Sequence, residues 1–240
     1  MRIAVSSSTF RRPLAAGELT QLEWIERCAS ELGADGIVTA LLDFPRFDGE
    51  YVAQLRKVAV DLGIVPFGID APGLLDPAGE PAAIEQAVAA AQRFGAAVLR
   101  TTPPVPGEVP PATFAATVRV AKVLSRAAKS ANVTVVVTTL PGTIAADLGA
   151  LRHLLKDADS AWLRAAPNAA LDSPAGARDR VPAFVATPAD DPATVAGRAS
   201  RAWVILDAPA SAGPWSVVRD GIAALRHADA DALTRRVSGA

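Results

Sequence analysis

Apolar and polar positions follow two periods along this chain, and the two periods alternate from one end to the other. Short β-branched runs are typical of buried strands, and apolar residues at every third or fourth position are typical of amphipathic helices. Three segments join the two patterns, because a helical stretch ends in glycine and a strand-like run follows at 30–38, 60–65 and 92–99. Glycine just past a helix end closes the helix in a left-handed conformation. Each segment therefore predicts the helix-to-strand corner of a βα unit.

The whole pattern predicts eight strands that alternate with helices. The strands are predicted at 2–7, 36–41, 64–70, 97–102, 133–139, 161–166, 182–187 and 202–207. The helices are predicted near 20–32, 50–62, 81–94, 111–131, 143–156, 192–200 and 215–226, whereas 169–180 has a poor helix signal. Thr20 followed by Glu23 resembles a capping box, which marks the start of the first of these helices.

The chain length agrees with a closed barrel built from these units. Eight strands in 240 residues leave about 30 residues per unit, and eight βα units in about 250 residues are typical of a TIM barrel. A doubly wound open sheet is the competing architecture, and it usually has a glycine-rich phosphate loop after its first strand. Residues 6–10 read Ser-Ser-Ser-Thr-Phe and contain no glycine. We predict one (β/α)8 TIM barrel domain over residues 1–240.

Composition and charge then exclude several classes of protein. Half of the residues are hydrophobic and one fifth are charged, which is typical of a folded globular chain. The balance of 24 basic against 25 acidic residues predicts no nucleic-acid partner, and no apolar run approaches the roughly 20 residues of a membrane helix. The chain start lacks a signal-peptide pattern, and the single cysteine fits a reducing compartment, so we expect a cytoplasmic protein. Alanine-rich helix faces are compatible with a homodimer without specifying one.

Several segments of the chain resemble a known superfamily. Residues 1–10 resemble the opening strand of the xylose isomerase-like TIM barrels, residues 32–37 its second strand and residues 94–100 its fourth. That superfamily includes sugar-phosphate isomerases and epimerases, hydroxypyruvate isomerase, inosose dehydratase and endonuclease IV. The register can be followed to the end of the chain. The resemblance implies the barrel fold and an isomerase or epimerase that acts on a small sugar or sugar acid.

The resemblance also implies a divalent metal site, from which this sequence departs. Members of the superfamily hold Mg²⁺, Mn²⁺ or Zn²⁺ with a Glu, an Asp or His, a His and a Glu at the ends of the last four strands, and the metal polarises a carbonyl or hydroxyl. The matching positions here hold Thr138, Leu140, Ala166, Val185 and Asp207. Only Asp207 is charged, and one carboxylate cannot hold a divalent ion against its hydration shell. We therefore expect that site to be lost and no cofactor to be bound.

Two arginines on predicted strands are expected to point into the barrel. Strand alternation places Arg100 on one face with Thr102, and Arg164 on one face with Ala166. An arginine beneath the helix layer is costly, so both side chains are expected near the inner rim. One interpretation is that Asp70 and Asp207 neutralise them in internal salt bridges. The other is that both arginines bind the carboxylate or phosphate of a small ligand.

These observations define candidate site residues at the barrel mouth. Asp207 and Asp70 are the candidate acid/base residues, and a relocated metal site would combine them with Asp43. The Ser6–Ser8 run has no histidine placed to activate it and no Gly-x-Ser-x-Gly turn, so serine hydrolysis is not expected. The candidate ligand contacts are Arg100, Arg164, Thr138, Thr102, Thr39, Ser7, Thr187 and Trp215.

Three classes of function stay open from the sequence. The first is a sugar isomerase or epimerase whose metal site is absent or moved. The second is a non-catalytic barrel, a sensor or regulatory subunit, that binds a small polar or anionic molecule such as a sugar acid at the C-terminal mouth. The third is a structural barrel that associates with a partner protein. The missing ligands argue against the standard form of the first class, and the polar mouth favours the second over the third. We expect a divergent isomerase-like barrel.

Overall fold

The computed structural model describes residues 1–45, 48–103, 111–170, 181–199, 202–208 and 214–238, and these ranges contain eight strands and eight α-helices. Two α-helices lie between the first and second strands, none is described between the sixth and seventh, and one α-helix follows each of the other strands. The strands are β1 (Arg2–Ser6), β2 (Gly36–Ala40), β3 (Val65–Asp70), β4 (Val98–Thr101), β5 (Thr134–Thr138), β6 (Leu163–Ala166), β7 (Ala183–Ala186) and β8 (Trp203–Leu206). The helices are α1 (Arg11–Ala16), α2 (Gln21–Ser30), α3 (Gly49–Asp61), α4 (Pro81–Phe94), α5 (Pro111–Ser130), α6 (Leu148–Ala158), α7 (Pro192–Ala199) and α8 (Pro214–Val237).

All strand pairs are parallel, and the sheet curls into a nearly closed ring. The strand order is β6-β5-β4-β3-β2-β1-β8-β7. The two ends of this order meet just beyond β6 through a parallel bridge between Asn168 and Val185. There the Ala169 amide donates to the Val185 carbonyl at 2.7 Å, and the Val185 amide donates to the Pro167 carbonyl at 3.0 Å. The predicted (β/α)8 TIM barrel is confirmed.

Two apolar layers fix which face of each strand points inward. The larger layer packs between the strands and the helices, and the smaller one fills the barrel interior. Trp203 stacks on Phe67 at 4.3 Å between ring centroids, and Gly36 leaves it room, because a Cβ there would lie 2.8 Å from the indole. The interior layer consists of Ala4, Val38, Phe67, Val98, Val136, Ala166, Ala183, Val185 and Ile205, with Trp203 packed against it.

The helix ends follow the predicted signals, and the differences lie where the apolar period is weak. Gly33, Gly63 and Gly95 have φ values of 58°, 71° and 76°, as predicted for left-handed helix closure, and the capping box at Thr20 is present. The sequence pattern missed α1, whose six residues make fewer than two helical turns, and it ended α8 at 226 instead of Val237. Most of the weak helix segment 169–180 lies outside the described residues. In the described ranges, no helix combines the length and apolarity that crossing a membrane requires.

Candidate functional site

Three charged side chains at or just after the ends of separate strands meet at the C-terminal mouth of the barrel. Arg100 on β4 donates from Nε to Asp70 Oδ1 at 2.9 Å and from Nη2 to Asp70 Oδ2 at 2.8 Å. Its Nη2 also donates to Asp207 Oδ2 at 2.5 Å. The side chains of Arg100 and Asp70 are 7% and 6% exposed, whereas Asp207 is 23% exposed. We call these three residues the arginine cluster, and the salt bridges expected for Arg100 are present.

Strand register and local geometry explain why the arginine cluster forms. Asp70 ends β3 and is the Cα partner of Arg100 on β4. A register shift opposite Ile37 and Val38 lets β3 turn both Phe67 and Asp70 toward the interior, although simple alternation would separate them. Burial by itself lowers the pKa of Arg100, but the carboxylates of Asp70 and Asp207 outweigh it and raise that pKa overall. The cluster therefore holds a permanent cation.

A second polar network links the loop after β1 to the arginine cluster. Ser7 Oγ donates to Asp43 Oδ2 at 2.6 Å and accepts from the Ala40 amide at 2.8 Å. Ser8 Oγ donates to Asp70 Oδ2 at 3.3 Å and accepts from Arg11 Nη2 at 3.4 Å. Burial raises the pKa of Asp43; the Ser7 hydrogen bond and Arg11 oppose this shift, and Asp70 adds to it.

This network corrects the expectation that Ser7 contacts a ligand. The Ser7 side chain is buried and joins the Asp43 carboxylate to the end of β2, so it stabilises the loop instead. Sequence reasoning missed Ser8 and Arg11, because the short 3-10 helix Ser7–Phe10 and the start of α1, which bring them toward Asp70, have no periodic signature. The available signal was the polar run that directly follows the first buried strand.

The mouth differs on the side formed by β5, β6 and β7. Arg164 lies two residues before the interior residue Ala166 on β6, so it shares the interior face and is half-buried. It makes no hydrogen bond or ion pair with any described residue. Thr138 ends β5 opposite Ala166, and its Oγ1 is buried without a hydrogen-bond partner among the residues that the structure describes. We call this side the open half of the mouth.

Two further threonines follow strands at positions that continue the interior face. Thr187 comes two residues after the interior residue Val185, and Thr102 comes two residues after Arg100. Both are partly buried. The Thr187 amide donates to Asp190 Oδ2 at 2.7 Å, which fixes the backbone of the loop after β7. Both residues therefore stand at the rim, and their predicted contact with a ligand stays a prediction.

Two predicted ligand contacts are wrong. Thr39 lies between the interior residues of β2, and its Cα partner is Ile69 of the outer apolar layer, so it is buried beneath the helices. Trp215 begins α8 and packs on Phe10 at 4.3 Å between ring centroids. The Arg27 guanidinium lies 3.8 Å from the Trp215 ring centroid, which places this indole between α2 and α8.

The described residues at the mouth do not fit a divalent metal ion. Thr138, Ala166 and Val185 offer no charged ligand where the resemblance implies one, and Asp207 is bound to Arg100. The alternative site of Asp43, Asp70 and Asp207 already has a guanidinium between two of its carboxylates. Among the described residues, no group of three or more His, Cys, Asp or Glu side chains could hold a metal ion.

The fold and the polar mouth define a TIM barrel with candidate ligand groups at the C-terminal ends of its strands. No protein-family model matches the sequence, and no curated protein matches it. Solved structures match at low identity. The probable 3-DHS dehydratase AsbF from Bacillus anthracis has a TM-score of 0.78 at 13% identity, covering 94% of this chain and 99% of that one. An L-ribulose 3-epimerase has a TM-score of 0.74 at 14% identity, covering 97% of each chain.

A third solved structure is the IOLI protein with a bound zinc atom, at a TM-score of 0.71 and 11% identity, covering 98% of this chain and 99% of that one. Identities this low show the fold alone. The chain accordingly has the fold of the xylose isomerase-like TIM barrels, as the sequence resemblance implied.

Proposed function

We propose that the barrel binds a small anionic sugar or sugar acid at the open half of its mouth, without a divalent metal. The observation that carries this proposal is Arg164, a half-buried cation on the interior face with no carboxylate partner among the described residues. Arginine does not lose its proton in proteins, so partial burial leaves a charge that an anion would stabilise. Its planar fork matches a carboxylate or phosphate with two parallel hydrogen bonds.

The threonines at the rim of the mouth suit the hydroxyl groups of a sugar. Thr138 Oγ1 is buried without a partner among the described residues, and Thr187 and Thr102 stand at the same rim. A hydroxyl can both donate and accept, as sugar hydroxyls do. Arg100 is not available to bind an anion in the same way, because its guanidinium is paired with Asp70 and Asp207. In this proposal Arg100 shapes the mouth while Arg164 binds the anion, and the protein acts as a sensor or regulatory subunit.

The test is a binding screen with matched arginine variants. Wild-type protein, Arg164→Gln and Arg152→Gln are titrated with sugar phosphates and sugar acids by calorimetry, each with and without EDTA. Arg152 is an exposed arginine on α6 and serves as the control. We expect at least one ligand whose affinity falls about tenfold or more in Arg164→Gln and is unchanged in Arg152→Gln and in EDTA. Equal affinity in Arg164→Gln, or loss of binding in EDTA, would contradict the proposal.

A second candidate function, isomerisation or epimerisation, is favoured by the position of Asp207. This carboxylate follows β8, is the most exposed member of the arginine cluster, and stands where the sequence resemblance implies a glutamate. It could accept a proton from a carbon next to a carbonyl, which is the first step of isomerisation or epimerisation through an enediol. The ligand found above would be incubated in D₂O with wild-type protein and Asp207→Asn and followed by NMR. Deuterium uptake that Asp207→Asn abolishes supports this candidate, and no uptake supports a non-catalytic barrel.

A further inference from the structure

A basic groove lies at the end of the barrel opposite the mouth. The last turns of α5 approach the N-terminal ends of the strands, where the connection from α6 to β6 also runs. Between them is a groove of about 490 Å³, a volume typical of small-molecule sites. It is lined by Lys122, Ser125, Arg126 and Lys129 of α5, and by Ala158, Asp159, Ser160, Ala161 and Trp162.

Three cations line this basic groove, and none has a carboxylate partner within the part of the chain that the structure describes. Lys122, Arg126 and Lys129 are spaced by four and three residues, so they share one face of α5. None of them forms an ion pair with a described residue, and Asp159 is the single carboxylate in the lining. Like charges at helical spacing repel one another, and an anion in the groove would remove that repulsion. The spacing alone is typical of a solvated helix face; the groove beside it is what suggests a ligand.

Trp162 adds an aromatic surface to the basic groove. The chain has four tryptophans, and three of them contact a ring or a cation: Trp24 lies near Phe10, Trp203 stacks on Phe67, and Trp215 contacts Phe10 and Arg27. Trp162 is half-buried and has no ring or cation partner among the described residues. An indole in this position can stack a planar group of a ligand.

We propose that the basic groove binds a nucleoside diphosphate. The phosphates would contact Lys122, Arg126 and Lys129, the base would stack on Trp162, and Asp159 would accept hydrogen bonds from the ribose hydroxyls. The ribose hydroxyls would thus give Asp159 hydrogen-bond donors, which an inorganic phosphate with no sugar would not provide. A polynucleotide fits less well, because the whole chain has a net charge of -1 and the three cations span only about 10 Å of helix. The proposal is independent of the function proposed for the mouth.

The charge of the groove is tested with a matched pair of triple variants. ADP and inorganic pyrophosphate are titrated by calorimetry into wild-type protein, into Lys122→Gln/Arg126→Gln/Lys129→Gln, and into Lys57→Gln/Arg235→Gln/Arg236→Gln. The second triple variant removes the same charge from exposed positions on α3 and α8. We expect both ligands to lose at least about tenfold in affinity in the groove variant and to bind the control as they bind wild type.

The aromatic contribution is tested by Trp162→Leu. We expect the affinity for ADP to fall about tenfold, because the stacking contact between the adenine base and the indole is lost. The affinity for pyrophosphate, which has no base, should stay unchanged. Retained pyrophosphate binding also shows that the variant is folded.

Four results would overturn the proposal. The first is that wild-type protein does not bind ADP at millimolar concentration, and the second is that both triple variants lose the same affinity. The third is that Trp162→Leu changes the affinities for ADP and pyrophosphate equally, and the fourth is that Arg164→Gln no longer binds ADP. The last result would mean that ADP binds at the mouth of the barrel and not in the basic groove. Conversely, failure of the sugar-acid proposal would leave these expectations for ADP unaltered.

Discussion

The two halves of the barrel mouth differ in how far their polar groups are paired. On the side of β1 to β4 and β8, Ser7, Asp43, Asp70, Arg100 and Asp207 are joined by hydrogen bonds and ion pairs. On the side of β5 to β7, Arg164 has no partner among the described residues, and the buried Oγ1 of Thr138 has none either. The same rim thus has a paired polar network on one side, and on the other side an arginine and a threonine hydroxyl without partners among the described residues.

This difference separates charges that hold the fold from charges that are free to bind. A buried ion pair that loses one partner leaves an uncompensated charge, so such groups are strongly constrained by stability. A half-buried cation without a partner contributes little to stability and is available to a ligand. The residue type alone does not distinguish Arg100 from Arg164, and only their surroundings do.

The largest expected effect comes from breaking the paired polar network at its centre. Arg100→Met removes the one cation between two carboxylates and leaves Asp70 buried without its main partner. We expect a loss of about 3–5 kcal/mol in the free energy of unfolding, measured by urea denaturation. Lys57→Met, which breaks the exposed pair with Asp61, is the control and should cost less than about 1 kcal/mol. A loss for Arg100→Met as small as that control would show that the cluster is not structural.

The next effect compares the two carboxylates of the arginine cluster. Asp70 is buried and accepts two hydrogen bonds from Arg100, whereas Asp207 is more exposed and accepts one. We therefore expect Asp70→Asn to cost about 3 kcal/mol and Asp207→Asn about 1 kcal/mol in the same denaturation experiment. If Asp207→Asn cost as much as Asp70→Asn, the unequal burial of the two groups would not govern their contributions.

A smaller effect follows from the pH dependence of Asp43. The pKa of this carboxyl is raised in the folded state, chiefly by burial, above its ordinary value of 3.8. Its contribution to stability is therefore fully present below pH 3.8 and is lost as the pH rises through the raised folded-state pKa. The stability of wild type relative to Asp43→Asn should fall as the pH rises from about 4 to about 7. A relative stability that rises with pH would contradict this assignment.

The smallest effect distinguishes two buried threonines whose hydroxyls lack partners among the described residues. Thr138 faces the open half of the mouth, and Thr39 lies beneath the helices. Replacing either by valine should change the free energy of unfolding by less than about 1 kcal/mol, because no hydrogen bond is lost. Only Thr138→Val should weaken binding of the anionic ligand found for Arg164, as measured by calorimetry. If Thr39→Val also lowered the affinity for this ligand, the inner and outer faces of the strands would be wrongly assigned.

The fold was predictable because its signals are local and repeated. Helix closure at Gly33, Gly63 and Gly95 and the apolar runs behind them mark successive βα corners, and eight such units specify the barrel. Helix α1 was not predicted, because its six residues make fewer than two turns and a repeated apolar position cannot be recognised in them. The end of α8 escaped because its exposed last turns have no apolar face.

The site was predictable only where strand alternation decides it. Alternation placed Arg100 near Asp70 and Asp207, and the structure shows that pairing. Alternation also places Thr39 on the outer face once Val38 is known to be interior, but the sequence does not reveal which face that is. Ser7 and Trp215 were misassigned because their partners, Asp43 and Arg27, lie on other βα units and are chosen by the packing of loops and helices.

The junction between β6 and β7 has a consequence for how the ring opens. Among the described residues, this junction consists of one bridge at Val185, whereas β1 and β8 pair over four residues. Local opening needs the least free energy where the fewest hydrogen bonds must break. The amide protons of Val185 and Ala169 should therefore exchange with solvent sooner than those of β1. Arg164 lies on β6, next to this junction. A ligand bound to Arg164 would therefore slow the exchange of these amide protons, and the exchange rate would show whether the ligand site is filled.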